Sequence, residues 1–382
     1  MANVIQGIRE WFYPVHPLPA GLYHYISPPE DPRNYRLHLR LEKNGSGILI
    51  VNASTILHLN QTAAELAYYI IQNLSPEKAA SKIASRYHVT KDQARSDYEN
   101  LIDRIQILIN TPDLDPETFL DFERKPVHTA SISAPYRLDC AITYRLPDLV
   151  DPQLAPTDRV KQELSAQDWE KIIDKAAKLG IPHILFTGGE PTLRPDLPEL
   201  IGYAEKDELV TGLISDCLRL GEADYMNHVL QKGLDHVMMV LNPELPESWK
   251  ALDDLLAADI FVAVHITLTQ ENADSISELI RRLSQLGVRA ISLSVNDPEL
   301  KDKLENARNQ VANEQIELIW NLPVPYSSMN PIAIETSEWN EFPGAGLEWL
   351  YVEPDGDVLP SQGMNQVLGN LLNDSWETIW KK

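Results

Sequence analysis

The chain of 382 residues is long enough for two or three domains, each with its own hydrophobic core. Hydrophobic residues make up 43% and charged residues 23% of it, proportions typical of a folded globular protein, which excludes disorder as the dominant state. The net charge of −23 argues against nucleic acid and anionic membranes as partners.

Membrane and export signals are also missing from the sequence pattern. No apolar run approaches the roughly 18 residues of a membrane span. Residues Met1–Glu10 mix charged and polar side chains and contain no apolar signal-peptide core. We therefore expect a cytoplasmic protein.

Cysteine content limits the metal chemistry. The chain has two cysteines, Cys140 and Cys217. They are too few for a disulfide framework, a cysteine-rich zinc site or an iron–sulfur cluster held by cysteines alone. Cys140 lies within a predicted strand and is expected in the core. Cys217 lies close to a predicted strand end, where a reactive thiol is the alternative to a core role.

The N-terminal third of the chain divides into three parts. Residues 1–35 are rich in proline and aromatic residues and are predicted to form an irregular arm that packs on another part of the protein. Residues 36–110 have three strand patterns followed by three helical patterns, which predicts a small winged-helix-like α+β domain. Residues 111–130 contain prolines and acidic residues and are predicted to be a linker.

The small domain has clear boundaries between its elements. Strands are predicted at 35–41, 48–51 and 55–59, and a turn at Asn44-Gly45-Ser46-Gly47 separates the first two. Helices are predicted to begin after Asn60, at Ser75-Pro76 and at Thr90, where residue types typical of helix N-termini occur.

From residue 135 to about 322, strand and helix patterns alternate. Repeated strand–helix units predict a parallel sheet with helices outside it, either open or curled into a partial barrel. In such sheets the functional site lies at the C-terminal ends of the strands. The predicted strands are 137–143, 183–186, 209–214, 236–241, 261–267, 290–294 and 316–320. The chain ends in a predicted hairpin at 347–360 and a short helix near 375–380.

A glycine-rich turn follows the second of these strands. It consists of Gly188, Gly189, Glu190 and Pro191. Two glycines allow close approach of a ligand to the backbone, and a glutamate there can accept a hydrogen bond from an ammonium group. The alternative is a tight strand-to-helix turn capped by an acid.

Several segments together resemble a radical S-adenosylmethionine (SAM) protein. They are Pro135 to Arg145, Thr187 to Arg194, and Gly233 to Val237. The C-terminal segment around Pro354-Asp355-Gly356-Asp357 is similar to a SPASM/twitch extension. Residues 36–110 are similar to a PqqD-like peptide-recognition domain. The resemblance implies the domain order PqqD-like domain, radical SAM partial barrel at 131–325, and SPASM/twitch-like extension at 326–382.

The resemblance also implies ligand positions that this chain does not fill with cysteine. In that family a C-x3-C-x2-C loop follows the first strand, and its cysteines would fall at Leu146, Val150 and Gln153. The C-terminal cysteine would fall at Ser361. Gly188, Gly189, Glu190, Pro191 and Ser215 are then expected to be the remnant of the SAM site. These departures lead us to expect no catalytic residues, no metal, and either no cofactor or SAM without an iron–sulfur cluster.

Three functions remain open at this stage. The favoured one is a pseudoenzyme that binds a peptide or a partner protein, such as an active paralogous enzyme, in ribosomal peptide modification. An active radical SAM-type enzyme with unusual ligands or repurposed chemistry is the first alternative, and a DNA-binding regulator is the second. Residues 36–110 contain nine Lys/Arg and seven Asp/Glu, a net charge of only +2, which argues against DNA binding.

The peptide site is expected at a sheet edge of the small domain. The strand Thr55, Ile56, Leu57, His58 and Leu59 would offer unpaired backbone groups to an extended peptide beside the third helix. Arg95 and Arg104 on that helix favour an acidic and hydrophobic peptide. In the alternative, residues 11–32 of the arm occupy this edge.

Overall fold

A computed structural model describes residues 15–28, 30–33, 35–52, 55–110, 132–258, 260–336 and 344–380. The chain separates into two compact units, Met1–Ser133 and Ala134–Lys382. The predicted linker at 111–130 and the first 14 residues of the predicted arm lie outside the described residues.

The first unit is built on a four-stranded antiparallel sheet. Its strands are β1 (Gly21–Ile26), β2 (Arg36–Leu41), β3 (Gly47–Val51) and β4 (Thr55–Leu59), and they lie in the order β1-β2-β3-β4. Side chains alternate across the sheet, so that Leu37, Leu39 and Leu41 of β2 enter one core.

Three helices cover one face of this sheet. They are α1 (Gln61–Ile71), α2 (Pro76–Tyr87) and α3 (Lys91–Asn110). Asn60 caps α1 because its side chain accepts a hydrogen bond from the Ala63 backbone N–H. The apolar stripe of α3, including Leu101 and Ile105, packs with β4 residues in a single hydrophobic core.

The second unit contains one ten-stranded sheet. Its order is β11-β10-β9-β8-β7-β6-β5-β12-β13-β14, and the run from β11 to β12 is parallel. The strands are β5 (Arg137–Thr143), β6 (His183–Gly188), β7 (Val210–Ser215), β8 (His236–Val240), β9 (Phe261–Leu268), β10 (Ala290–Val295), β11 (Glu317–Ile319), β12 (Trp349–Val352), β13 (Asp357–Leu359) and β14 (Gly369–Asn370).

Helices follow most of the parallel strands and pack on one face of the sheet. They are α4 (Ala166–Leu179), α5 (Leu197–Lys206), α6 (Ala223–Gln231), α7 (Pro246–Leu256), α8 (Ile276–Gln285), α9 (Lys301–Asn313) and the C-terminal α10 (Trp376–Ile379). Trp169 and Ile173 of α4 are fully buried against Cys140 and Phe186 in the core on this helix side. The other face carries Leu185, Ile214 and Met238 in a separate apolar cluster, which we call the barrel interior.

The expected fold class is confirmed. The central strands run parallel with helices on one face, as expected for a partial (β/α) barrel, and a small winged-helix-like α+β domain precedes them in the chain. The five domain boundaries given above stay predictions.

The expectation of an irregular N-terminal arm is wrong for part of its length. Gly21–Ile26 of the predicted irregular arm is a strand, and it pairs with β2, at the opposite side of the sheet from β4. Its alternation of aromatic and aliphatic residues suits a strand despite the surrounding prolines. At the other end of the chain, β12 of the predicted hairpin joins the large sheet parallel to β5.

The barrel interior is tightly packed at Gly212, and this gives a first prediction. A Cβ added at Gly212 would lie 2.1 Å from Cε1 of His236 and 2.5 Å from Cδ1 of Leu185. We expect G212A to lower the free energy of unfolding by about 1–3 kcal/mol, the usual cost of overpacking. Urea denaturation of the full chain measures the change.

The matched control is G202A on α5. Its Cβ would lie 3.0 Å from Cδ of the flexible Lys232 side chain and 3.8 Å from the Lys232 backbone oxygen, and we expect it to stabilise the helix by about 0.5–1 kcal/mol. Equal stability of G212A and the unsubstituted chain would contradict the packing described here.

Candidate functional site at the C-terminal strand ends

The strand ends of β5 and β6 meet at the two glycines. The Thr143 carbonyl accepts a hydrogen bond from the Gly189 N–H at 2.8 Å, and the Arg145 carbonyl accepts one from the Glu190 N–H at 2.9 Å. Gly188 has φ +128, and a Cβ there would lie 2.2 Å from the Thr143 oxygen. A Cβ on Gly189 would lie 2.3 Å from the Arg145 oxygen. Both positions therefore require glycine for the backbone segments to pack.

Glu190 connects this turn with the loop after β7. Its Oε1 accepts hydrogen bonds from Thr192 N at 2.9 Å, Thr192 Oγ1 at 2.5 Å and Ser215 Oγ at 2.8 Å. Its Oε2 accepts one from Asp216 N at 3.0 Å. The structure thus brings together two of the predicted SAM-site residues, Glu190 and Ser215, and the acid also caps the helical turn that begins at Pro191.

The Glu190 carboxyl is the most perturbed acid at the strand ends. Burial, and next the charge of the neighbouring Asp216, raise its pKa to about 7. Burial also raises the pKa of Asp216.

The two cysteines do not offer thiolates to the strand ends. Cys140 and Cys217 are fully buried, and both pack in the core on the helix side of the sheet. Burial raises the pKa of both thiols well above the ordinary value. This agrees with the expected core role of Cys140 and argues against a reactive Cys217.

The positions of the expected cluster cysteines hold other contacts. Leu146 packs beside a cluster of buried tyrosines, and Ser361 Oγ accepts a hydrogen bond from the Trp349 indole N–H at 3.4 Å. Val150 is half-buried and Gln153 is exposed. Over the described residues, no three His, Cys, Asp or Glu side chains lie close enough together to hold a metal ion.

The barrel interior carries polar groups that the sequence analysis did not single out. The Thr187 hydroxyl is buried without a hydrogen-bond partner, beside Gly188. On β9 the buried His265 hydrogen-bonds to Ser292 Oγ at 3.1 Å and Ser294 Oγ at 3.0 Å. Burial lowers its pKa to about 4, so the imidazole is neutral at physiological pH. The sequence signal for these residues would have been polar side chains that alternate with apolar ones toward the ends of the predicted strands.

A second group missed from the sequence lies where β5 and β12 end. Tyr144, Arg159, Tyr326, Glu335 and Glu353 contact one another there, and we call them the Arg159 cluster. Tyr144 and Glu353 directly follow two predicted strands, which was the available signal. Their partners are distant in the sequence.

The predicted peptide-binding residues lie in the first unit. Thr55, Ile56, Leu57 and His58 all belong to β4, the last strand of its sheet as described. The two arginines, Arg95 and Arg104, lie on α3. The Arg95 guanidinium is paired with Glu99 at 2.8 Å and Glu77 at 3.4 Å.

Part of the second unit matches a known protein family. Residues 140–272 match the family model of the Radical SAM superfamily. The part of the chain around the glycine-rich turn is thus similar to the Radical SAM superfamily. The matched segment begins inside β5 and contains the glycine-rich turn, Glu190 and Ser215.

Three relatives named PqqA peptide cyclase are similar in sequence. The protein of Rhizobium meliloti (strain 1021) is 28% identical over 300 residues, 67% of this chain and 77% of the relative. That of Streptomyces rochei is 27% identical over 179 residues, 43% of this chain and 49% of the relative. That of Granulibacter bethesdensis is 35% identical over 113 residues, 29% of this chain and 30% of the relative. The matches thus span under half of the last two relatives.

Solved structures share the fold. SuiB of Streptococcus suis bound to precursor peptide SuiA has a TM-score of 0.60 at 17% identity, covering 94% of this chain and 88% of that chain. SuiB bound to S-adenosylmethionine has a TM-score of 0.59 with the same coverage. The enzyme anSMEcpe, bound to AdoMet and a peptide, has a TM-score of 0.50 at 11% identity, covering 65% of this chain and 81% of that chain.

These comparisons correct the expectation about cofactors. We expected either no cofactor or SAM without an iron–sulfur cluster. That expectation is wrong, because the matched family uses SAM together with a [4Fe–4S] cluster and structures of the same fold hold SAM. The unpartnered Thr187 hydroxyl in the barrel interior fits a polar ligand there, whereas the two buried thiols do not fit the cysteine ligands of the family's cluster.

No helix among the described residues is long and apolar enough to cross a membrane.

The buried Glu190 gives a prediction about pH. Its pKa in the folded chain is about 7, above the ordinary 4.5, so the folded state holds the proton more tightly than the unfolded state. Its contribution therefore makes stability fall as the pH rises from about 4.5 to about 7. In E190Q this part of the pH dependence is expected to disappear, as measured by urea denaturation at a series of pH values.

The control is E244Q, because Glu244 is an exposed acid with no ion pair among the described residues. Its stability profile should follow that of the unsubstituted chain. A profile of E190Q that still falls between these pH values would show that Glu190 does not titrate as described.

Proposed function

We propose that this chain is a radical SAM-family pseudoenzyme that binds a peptide through its first unit, as part of ribosomal peptide (RiPP) modification, without cleaving SAM reductively. The observation that carries the proposal is the combination of an edge strand suited to peptide addition with a second unit whose only thiols are buried in its core.

The hydrogen-bond pattern of the small sheet favours β4 as the peptide site. Asn52 N donates to Arg36 O, and Glu42 N donates to Ser46 O, so even-numbered residues of β3 and its flanks bond toward β2. Successive residues of an antiparallel strand bond to opposite sides. The odd-numbered residues of β3 therefore bond toward β4.

The same alternation fixes the direction of the backbone groups on β4. Leu49 is paired with Leu57, and Ile50 is paired with Ile56. Leu57 then bonds inward to β3, whereas the N–H and C=O groups of Ile56 and His58 point away from it. Among the described strands none pairs with this outer side of β4. An added peptide strand would bond to the outward backbone groups of Ile56.

Side chains on this strand supply two different surfaces. Leu57 and Leu59 are buried in the core, whereas Thr55, Ile56 and His58 are half-buried. A peptide strand beside β4 would place alternate side chains on those two faces. Arg95 is half exposed and already paired with two glutamates, so an acidic peptide would exchange one carboxylate partner for another.

The comparisons support a peptide as the partner. SuiB, which shares the fold over 94% of this chain, was solved with its precursor peptide SuiA, and the sequence relatives are named for the PqqA peptide. A protein partner such as an active paralogous enzyme remains part of the proposal, because a pseudoenzyme needs another protein to perform the modification.

The pseudoenzyme part of the proposal rests on the ligand positions. Iron–sulfur clusters are held chiefly by cysteine thiolates. Leu146, Val150, Gln153 and Ser361 occupy the positions at which the family has cysteine, and none of these side chains supplies a thiolate. Burial of Cys140 and Cys217 in the helix-side core leaves no described thiol at the strand ends.

Proline substitution tests the peptide site. Proline at Ile56 removes an outward N–H donor and is expected to reduce peptide binding at least tenfold, because a ladder bond is lost. The probe is a displayed library of random 15-residue peptides selected on the full chain, and binding of the enriched peptides is measured by fluorescence polarisation. We expect enriched sequences that alternate acidic and hydrophobic residues.

The matched control is I56V, which keeps both the N–H and a β-branched side chain and should bind as the unsubstituted chain does. Circular dichroism checks that the proline variant folds. Peptides that bind I56P as tightly as the unsubstituted chain would contradict the β4 site.

The chemistry is tested separately. After anaerobic treatment with iron and sulfide, and with dithionite as reductant, we expect no release of 5′-deoxyadenosine from SAM above the level of a heat-denatured sample. The PqqA peptide cyclase of Rhizobium meliloti serves as the active control. Repeated turnover by this chain above that level would show that it is an active enzyme.

A further inference from the structure

The loop between β5 and α4 contains the positions at which the family has its cluster cysteines. We call residues 144–164 the strand-end loop. Its two ends are fixed by short-range contacts: Glu163 Oε1 accepts hydrogen bonds from Thr143 Oγ1 at 2.6 Å and Tyr144 N at 2.9 Å, and Leu164 N donates to the Pro354 carbonyl at 2.7 Å. These contacts leave its middle to be held by other means.

The middle of the strand-end loop is held by Arg159. Its guanidinium lies 3.1 Å from Glu353 and 3.2 Å from Glu335, and it donates a hydrogen bond to the Tyr326 hydroxyl at 3.3 Å. It also donates to the Asn365 side chain. One side chain of the loop thereby contacts four residues that lie between 167 and 206 positions further along the chain.

Three of these four partners have buried side chains. The Glu335 and Glu353 side chains are 7% and 5% exposed, and Tyr326 is 2% exposed. Tyr144 donates from its hydroxyl to Glu353 at 2.8 Å, and its ring meets that of Tyr326 edge to face at 5.4 Å. The buried carboxylates of Glu335 and Glu353 would repel each other if the Arg159 guanidinium did not lie between them. The loop and the C-terminal segments therefore depend on the same cation.

We propose that the Arg159 cluster acts as a latch that holds the strand-end loop over the ends of β5 and β12. In the family, this loop contains the cluster ligands, whereas here an internal ion-pair network keeps it in place. This inference concerns the order of the loop and does not rest on peptide binding. The loop is then ordered by side chains of this protein, and the protection of its backbone amides from hydrogen exchange does not require iron or sulfide.

Hydrogen exchange of the full chain, followed by mass spectrometry, tests the latch. Backbone bonds such as Leu154 N to Asp151 O and Val160 N to Thr157 O provide amides to follow in residues 150–160. R159M keeps much of the side-chain volume and removes the charge. We expect exchange in residues 150–160 to become at least tenfold faster, while exchange in α1 to α3 of the first unit does not change.

The matched control is K161M, which removes an exposed cation from the same loop and should leave exchange within twofold of the unsubstituted chain. R159K keeps a charge and should lie between the two. If R159M does not fold, the pair E335Q and E353Q, measured singly, replaces it, and each should accelerate exchange of the same residues.

Two results would overturn the proposal. One is unchanged exchange of residues 150–160 in R159M, or in both glutamine variants if R159M does not fold. The other is a tenfold gain in protection of this loop when the unsubstituted chain is treated anaerobically with iron and sulfide. That gain would mean that a metal group, and not the Arg159 cluster, orders the loop.

Discussion

The close approach of β5 and β6 at their C-terminal ends is the constraint on which the rest of this site depends. The Thr143 carbonyl accepts the Gly189 N–H, and the absence of a side chain on Gly188 lets the two segments meet. Because the chain turns sharply there, Glu190 reaches the loop after β7 and accepts hydrogen bonds from Ser215 and Asp216. A side chain at either glycine would separate β5 from β6 and move the acid away from its donors.

Acids that are buried or half-buried connect the loops at the strand ends. Glu190 joins the turn after β6 to the loop after β7, Glu163 holds the start of the strand-end loop, and Glu353 receives both Tyr144 and Arg159. An unpaired buried carboxylate is costly, so each of these acids constrains the backbone that supplies its donors. The raised pKa of Glu190 and of Glu353, caused first by burial, indicates the electrostatic cost of this arrangement.

Local patterns predicted much of the fold, and long-range contacts account for what was missed. The strands Arg137–Thr143 and Thr55–Leu59 have the bounds expected from their apolar runs, and the turn at Gly188 lies at the predicted strand ends. The strand Gly21–Ile26 was missed because prolines flank it, and the junction of β12 with β5 because pairing across 200 residues leaves no local signal. The same holds for Arg159, whose partners follow it by more than 160 positions. Burial of Cys140 could be predicted, since its neighbours alternate as in a core strand.

The contacts of the Gly-Gly-Glu-Pro motif can be explained by folding without a ligand. Packing against two carbonyl oxygens explains both glycines, and capping of Thr192 together with the bond from Ser215 explains the glutamate. The fold alone therefore accounts for these residues. The Thr187 hydroxyl differs, because it is buried with no partner, and a buried hydroxyl without a hydrogen bond lowers stability unless a ligand or water completes it. Folding thus leaves Thr187, the threonine before the motif, unexplained. Ligand binding in the barrel interior is therefore better judged from the Thr187 hydroxyl than from the two glycines.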